Sequence, residues 1–305
     1  MTHYTPIGDA FKPAWQHGVI AIGNFDGVHQ GHQALLAQAR AIATQKQAPC
    51  LALTFAPHPR RFFQPQTPPF LIYDHSTKEK VLGPYVDGVI TLPFDFALSQ
   101  LSATDFIDKI LHDGLKAQHI VVGQNFVFGH GRQGHVETLM AHGFDVTALA
   151  PVMNESETIY SSTSVRQALQ NGDMALAGKL LGRTWSVTGK VIPGEKLGRT
   201  LGYPTANITW PEMIIAPRFG IYAVTVEDDG KMIKGVASYG IRPTVNTVET
   251  PLLEVHLFDF NGDLYGRELT VSFHHFIRGE EKFRDLESLT KQMHQDCTKA
   301  QELLA

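Results

Sequence analysis

The apolar pattern of this chain changes its rhythm near Gly182, and one layer of structure cannot serve both rhythms. Before that point, short runs that are apolar throughout alternate with helix-forming stretches. Residues 19–23, 50–55, 88–92, 119–123 and 144–149 read as strands, and 33–45 and 104–111 read as helices between them. Strands that are apolar on both faces and separated by helices predict a parallel sheet covered on both sides. Ligands of such sheets sit beyond the carboxyl ends of the strands. After Gly182, residues 185–191, 220–227, 231–239, 252–260 and 267–276 alternate in the β manner. Turn signals such as Asp228-Asp229-Gly230 and Asn261-Gly262-Asp263 separate them. That spacing predicts an antiparallel barrel or sandwich. Leu286, Leu289, Met293, Cys297 and Ala300 recur at steps of three and four, which predicts a final helix packed on the barrel through that stripe.

A short helical region joins the two parts. Ser162-Thr163-Ser164 opens it with good capping residues, Asn171-Gly172-Asp173 interrupts it, and Gly182 ends it. The expected organisation is an α/β domain over residues 1–182 followed by a β-barrel domain over 183–305.

Composition narrows the class of function. Hydrophobic residues are 43% and charged residues 18% of 305, so the chain can build two cores and is not disordered. The net charge is −4, which offers no basic platform for nucleic acid. No 18-residue apolar run is present, and the N-terminus lacks the basic and apolar parts of a leader, so the expected location is the cytoplasm with no membrane contact. Cys50 and Cys297 cannot build a disulfide framework or a zinc site. The expected partners are small molecules, with self-association left open.

The first half carries three strings with chemistry. Gly23-Asn24-Phe25-Asp26-Gly27-Val28-His29-Gln30-Gly31-His32 follows the first strand and opens the first helix. Glycines there let backbone N–H groups reach an anion, and a helix N-terminus favours negative charge. His29 and His32 add two imidazoles that can donate to phosphate oxygens. Tyr160-Ser161-Ser162-Thr163-Ser164-Val165-Arg166 supplies hydroxyls and a planar cationic fork. Gly123-Gln124-Asn125-Phe126-Val127-Phe128-Gly129 lies at a strand end. The literal G-x-G-x-x-G at Gly129–Gly134 follows an aromatic segment late in the sheet, where a dinucleotide fingerprint does not belong. The first string resembles the signature of the cytidylyltransferase-like nucleotidyltransferases. With the Ser-Ser-Thr-x-x-Arg element and Asn125 it resembles their bacterial flavin-adenylylating branch.

In the second half, Gly194-Glu195-Lys196-Leu197-Gly198-Arg199-Thr200-Leu201-Gly202 can wrap phosphates, and it runs into Tyr203-Pro204-Thr205-Ala206-Asn207. Thr205 and Asn207 point the same way if extended, as two oxygen ligands for one Mg²⁺. Glu254 and His256 interrupt the apolar strand Leu252-Leu253-Glu254-Val255-His256-Leu257, where a carboxylate is either a satisfied structural group or a base. With Gly220-Ile221-Tyr222-Ala223 and Gly240-Ile241-Arg242-Pro243-Thr244, these segments resemble the riboflavin kinase family.

The order of the two halves resembles the bifunctional bacterial FAD synthetase family over nearly the whole chain. The resemblance implies a nucleotidyltransferase domain with a Rossmann-like parallel sheet, then an antiparallel flavokinase barrel with a C-terminal helix. It implies phosphorylation of riboflavin to FMN and adenylylation of FMN to FAD, with ATP as co-substrate and Mg²⁺ as cofactor. It also implies residue roles. Gly23, Phe25, Asp26, Gly27, His29, Gly31, His32, Ser162, Thr163 and Arg166 would handle the ATP that adenylylates, and Asn125 would line the nucleotide or flavin pocket. Gly194, Lys196, Gly198, Arg199 and Gly202 would bind the kinase nucleotide, Thr205 and Asn207 the metal, and Arg242 the flavin. Glu254 would take the proton of the riboflavin 5′-hydroxyl. Two positions depart from the family pattern: Ala56 stands where an acid is usual, and Ser238 where Asn is frequent. Neither is expected to touch the central residues. The rival readings are a nucleotidyltransferase for another phosphorylated acceptor with an inactive barrel, and a non-catalytic flavin-binding regulator.

Overall fold

A computed structural model describes residues 3–4, 12–153, 159–194, 201–228, 230–241 and 251–305. The chain divides into two compact units. Residues 1–68 and 73–162 form the first; residues 69–72 and 163–305 form the second.

The first unit is an α/β sheet. Its strands are β1 (His3–Tyr4), β2 (Val19–Ile22), β3 (Cys50–Ala56), β4 (Gly88–Pro93), β5 (His119–Gly123) and β6 (Val146–Leu149), in the spatial order β1-β4-β3-β2-β5-β6. Every neighbouring pair runs parallel. Residues 19–22 and 50–54 are wholly buried, as runs without polar alternation demand. The helices are α1 (Gln30–Lys46), α2 (Pro59–Phe63), α3 (His75–Leu82), α4 (Phe96–Gln100), α5 (Ala103–Phe106) and α6 (Val136–Ala141). The expected helix at 104–111 is α5 continued by a wider π-type segment, Ile107–Gly114. Two cores flank the sheet: Ile20, Leu51, Ile90 and Ile120 on one face, and Val19, Ala21, Ala52 and Leu36 of α1 on the other. Chain order reverses between β2 and β5, and at such a reversal the loops part to leave a crevice.

The second unit opens with α7 (Ser162–Asn171, of which Ser162 belongs to the first unit) and α8 (Met174–Leu181). Asp173 caps α8 by accepting from the Leu176 N–H at 2.9 Å, and Gly182 ends it with φ 70°. A closed barrel follows, made of β7 (Trp185–Ile192), β8 (Ala206–Thr209), β9 (Gly220–Asp228), β10 (Lys231–Ile241), β11 (Pro251–Leu257) and β12 (Glu268–Arg278). Its order is β10-β11-β8-β7-β12-β9, with β9 closing on β10, and every pair is antiparallel. Trp185, Tyr222, Tyr239 and Phe273 fill its interior. Residues 69–72 belong here: Phe70 and Leu71 donate to the Met213 carbonyl, and Trp185 Nε1 donates to the Ile72 carbonyl at 3.0 Å.

The last helix, α9 (Leu286–Leu303), corrects one expectation. Leu286 is 57% exposed and is not part of the packed stripe. Buried Asp296 takes its place as an anchor. Its carboxylate accepts both the Nε (2.8 Å) and the Nη2 (2.7 Å) of Arg278, a bidentate pair that ties α9 to β12.

Candidate active sites

In the first unit, the loop between β2 and α1 is held in an unusual shape. Phe25 and Val28 have φ of 49° and 43°, a region side chains rarely adopt, and Gly27 has φ 82°. Val28 N–H closes the turn on the Phe25 carbonyl at 3.1 Å. His29 is the N-cap of α1 rather than part of its first turn: its Nδ1 accepts from the His32 N–H at 3.4 Å. A neutral His29 ring therefore carries its proton on Nε2, which makes that edge a donor. The His29 and His32 rings stack at 3.6 Å, and the Phe25 ring meets His32 edge-on at 5.3 Å. Gly31 is small for a reason: a Cβ there would lie 2.8 Å from the Tyr160 carbonyl.

These groups line one cleft of about 280 Å³ at the sheet's point of reversal. Gly23, Phe25, His29, Gly31 and His32 form one wall, and Asn125, Leu149 and Tyr160 stand among the others. Asn125 follows β5, exposed to the cleft mouth. Asp26 is buried, and its carbonyl accepts from Ser162 Oγ at 2.8 Å, so two strings 136 residues apart meet. Thr163 and Arg166 lie in the second unit, where Arg166 Nε donates to the Phe70 carbonyl at 2.7 Å. The Gly129–Gly134 string forms a short 3-10 turn, His130–Arg132, closed by a Phe128–Gly134 bridge, and α6 starts only after it, with His135 as its N-cap. Ala56 ends β3 beside Pro93 of β4. Sequence reading passed over one residue next to this loop, the buried Lys78 of α3.

In the second unit, strand register assembles the other cluster. Glu254 of β11 stands opposite Asn207 of β8 on one side and Ser238 of β10 on the other. Ser238 is thus a direct neighbour of Glu254, contrary to the expectation that this departure leaves the central residues alone. Leu253, Val255 and Leu257 are buried in the barrel, so alternation turns Glu254 and His256 outward. His256 Nδ1 bonds the Pro204 carbonyl at 2.9 Å and its ring meets Tyr203 edge-on, which steadies the segment entering Thr205. Asn207 is 5% exposed, and its Oδ1 has no hydrogen-bond partner among the described residues. A buried amide oxygen left unpaired is costly, and a hard cation satisfies it; with the Thr205 hydroxyl two residues earlier, the donor set suits Mg²⁺. Gly194 lies against the Asn207 carboxamide, where a Cβ would overlap it. Gly202 turns with φ 87°. Lys196, Gly198, Arg199 and Arg242 lie outside the described residues.

Known proteins match both units. Residues 11–163 match the FAD synthetase family and residues 181–304 the riboflavin kinase family. The bifunctional riboflavin kinase/FMN adenylyltransferase of Pseudomonas fluorescens is 43% identical over 96% of this chain and 95% of its own. Those of Escherichia coli K12 and Bacillus subtilis are 39% and 36% identical, covering 93% and 98% of this chain and 92% and 96% of theirs. A solved Streptococcus pneumoniae chain described as a macrolide-efflux protein shares the fold, with a TM-score of 0.87 and 32% identity over 96% of this chain and 97% of that one. Among the described residues of the present chain no helix is long and apolar enough to cross a membrane. The chain belongs to the bifunctional riboflavin kinase/FMN adenylyltransferase family, which makes FMN from riboflavin and FAD from FMN.

Proposed function

We propose a division of the two reactions among the residues of this chain, with residues 183–305 phosphorylating riboflavin and residues 1–182 adenylylating FMN, in the cytoplasm where ATP is at hand. The observation that carries the kinase assignment is the cross-strand pair of Glu254 and Asn207. Glu254 takes the proton of the riboflavin 5′-hydroxyl as its oxygen attacks the γ-phosphorus of ATP, and ADP leaves. Thr205 and Asn207 would hold Mg²⁺, which when bound neutralises phosphate charge and aligns the displacement. Gly194 and Gly202, with Lys196, Gly198 and Arg199, would bind the nucleotide, and Arg242 would bind the flavin.

In the first unit the FMN phosphate attacks the α-phosphorus of a second ATP, and pyrophosphate leaves. No covalent enzyme intermediate is required, so the protein's work is positioning and charge stabilisation. His29 and His32 donate to the triphosphate, the Gly23–Gly27 loop offers it backbone N–H groups, and Ser162 adds its hydroxyl; a role there for Thr163 and Arg166 rests on the family resemblance alone. Asn125 lines the nucleotide or flavin pocket.

Incubation with riboflavin, ATP and Mg²⁺, with flavins resolved by chromatography over time, tests the whole scheme. FMN appearing first and FAD after it is the expected result. Supplied FMN adenylylated without turnover of riboflavin would assign the barrel a non-catalytic role. Tight flavin binding without ATP turnover would favour the regulator.

A further inference from the structure

Lys78 is only 8% exposed, in a unit whose other lysines among the described residues reach solvent. Its helix, α3, begins where Asp74 caps it, the Asp74 carboxylate accepting from the Thr77 N–H at 2.7 Å and the Thr77 hydroxyl at 3.1 Å. One residue on, Lys78 Nζ donates to Thr54 Oγ1 at 3.0 Å, to the Asn24 carbonyl at 3.3 Å and to the Phe55 carbonyl at 3.4 Å. Thr54, fully buried on β3, passes its own hydroxyl hydrogen to the same Asn24 carbonyl at 3.1 Å. The three hydrogens of the ammonium thus go to the loop after β2 and the end of β3.

Burying a lysine is expensive, and the cost falls at a place that needs support. Asn24 immediately precedes Phe25, the first of the left-handed residues in the loop. A peptide unit is planar, so holding the Asn24 C=O also fixes the direction of the Phe25 N–H. Two donors on one carbonyl hold that plane from β3 and α3 together. The loop so held leads directly into the His29 cap and the stacked imidazoles. Asp26 and Glu79 lie near enough to favour the charged amine. Glu79 is itself held by Thr91, whose hydroxyl donates to its carboxylate at 2.9 Å, and His75 Nε2 lies 3.2 Å from the same oxygen.

We propose that Lys78 is a positioning residue for adenylyl transfer: through Thr54 and the Asn24 carbonyl it holds the Gly23–Gly27 loop in the shape that receives the ATP phosphates. The inference rests on the assignment of that loop to the adenylylation site.

The test uses the full chain with Lys78→Met and, separately, Thr54→Val, which removes the relaying hydroxyl and keeps its shape. Adenylylation of supplied FMN and phosphorylation of riboflavin are measured in the same preparations. Both variants are expected to lose about tenfold or more in kcat for adenylylation, with the KM for FMN changed less than about threefold, because the loop acts on phosphate charge in the transition state. Phosphorylation of riboflavin stays unchanged. Adenylylation within about twofold of the unaltered chain in Thr54→Val, or a loss seen only in KM, overturns the inference. If Lys78→Met does not fold, the Thr54→Val result decides alone. An unaltered chain that phosphorylates riboflavin but cannot adenylylate FMN overturns the site assignment itself, which separates the two failures.

Discussion

Glu254 and Asn207 face each other across the ladder that joins β11 to β8. Directly opposed residues project to the same side of a sheet with Cβ atoms roughly 5 Å apart. The proposed base and the proposed metal-binding carboxamide are therefore spaced by barrel hydrogen bonds, not by a loop. Replacing Glu254 by Gln keeps the shape and removes the proton acceptor. FMN formation is expected to fall by about 10²–10⁴, the usual worth of a general base, while supplied FMN is still converted to FAD. Flavin chromatography with each substrate separately checks this. An equal loss of both activities would contradict the assignment to separate sites.

Gly194 presses on the same carboxamide. Gly194→Ala is expected to displace Asn207 and raise the Mg²⁺ concentration needed for half-maximal riboflavin phosphorylation, leaving adenylylation unchanged. A Mg²⁺ titration of the kinase rate in the variant and the unaltered chain measures it. Unchanged Mg²⁺ dependence would mean that Asn207 is not a metal ligand.

The parts that could be read from the sequence share a physical cause. Short apolar runs without alternation, separated by helix-forming stretches, mark strands of a covered parallel sheet, so the sheet was legible; residues 19–22 and 50–54 are buried throughout, while the edge strand β6 is only half-buried. Glu254 was legible because a carboxylate breaks an apolar strand pattern. β8 was not, because four residues beside a glycine-rich stretch carry too little pattern, yet β8 joins β7 to β11 and brings Asn207 to Glu254. Residues 69–72 were equally silent, since their partner Met213 is over 140 residues away. Lys78 was hidden most thoroughly. It sits in Asp74-His75-Ser76-Thr77-Lys78-Glu79-Lys80, a polar run in which nothing local distinguishes buried Lys78 from exposed Lys80. Only the acceptors that converge from the loop after β2 and from β3 mark it.

His29 serves α1 through Nδ1 and, in the proposed mechanism, the phosphates through Nε2. Two substitutions separate these tasks. Asn is a good N-cap and Ala is not, a difference of about 1 kcal/mol. His29→Asn and His29→Ala are both expected to lose adenylylation by about 10²–10³, the cost of one transition-state donor. Only His29→Ala should also lower the unfolding midpoint of the first unit. Thermal unfolding beside FAD formation makes the comparison. Full activity in His29→Asn would confine His29 to capping.

The burial of Lys78 gives adenylylation a pH signature. Desolvation pushes the amine down from 10.5 to about 8, against the opposing pull of Asp26 and Glu79. Asp26, from the loop after β2, and Glu79 are the charges that act on it, and His75 on the same helix is the titratable group that feels its charge. A lowered lysine pKa means that the folded chain binds fewer protons than the unfolded chain between about pH 8 and 10.5. The native state therefore bears the cost of the buried charge, about 3 kcal/mol, at every pH below about 8, and sheds it as pH rises toward 10.5. This group's contribution to stability rises with pH while its grip on the loop weakens, since a neutral amine has two hydrogens for three acceptors. The adenylylation rate is expected to decline above about pH 8 with no matching loss of stability from this group. Riboflavin phosphorylation in the same tube, carried by the other unit, should show no limb of this origin. Rates of both reactions between about pH 6.5 and 9.5 settle the matter when repeated with Lys78→Met, in which the alkaline limb should vanish from what adenylylation remains. A limb of unchanged position in that variant would belong to another group and would leave Lys78 without a part in the pH dependence.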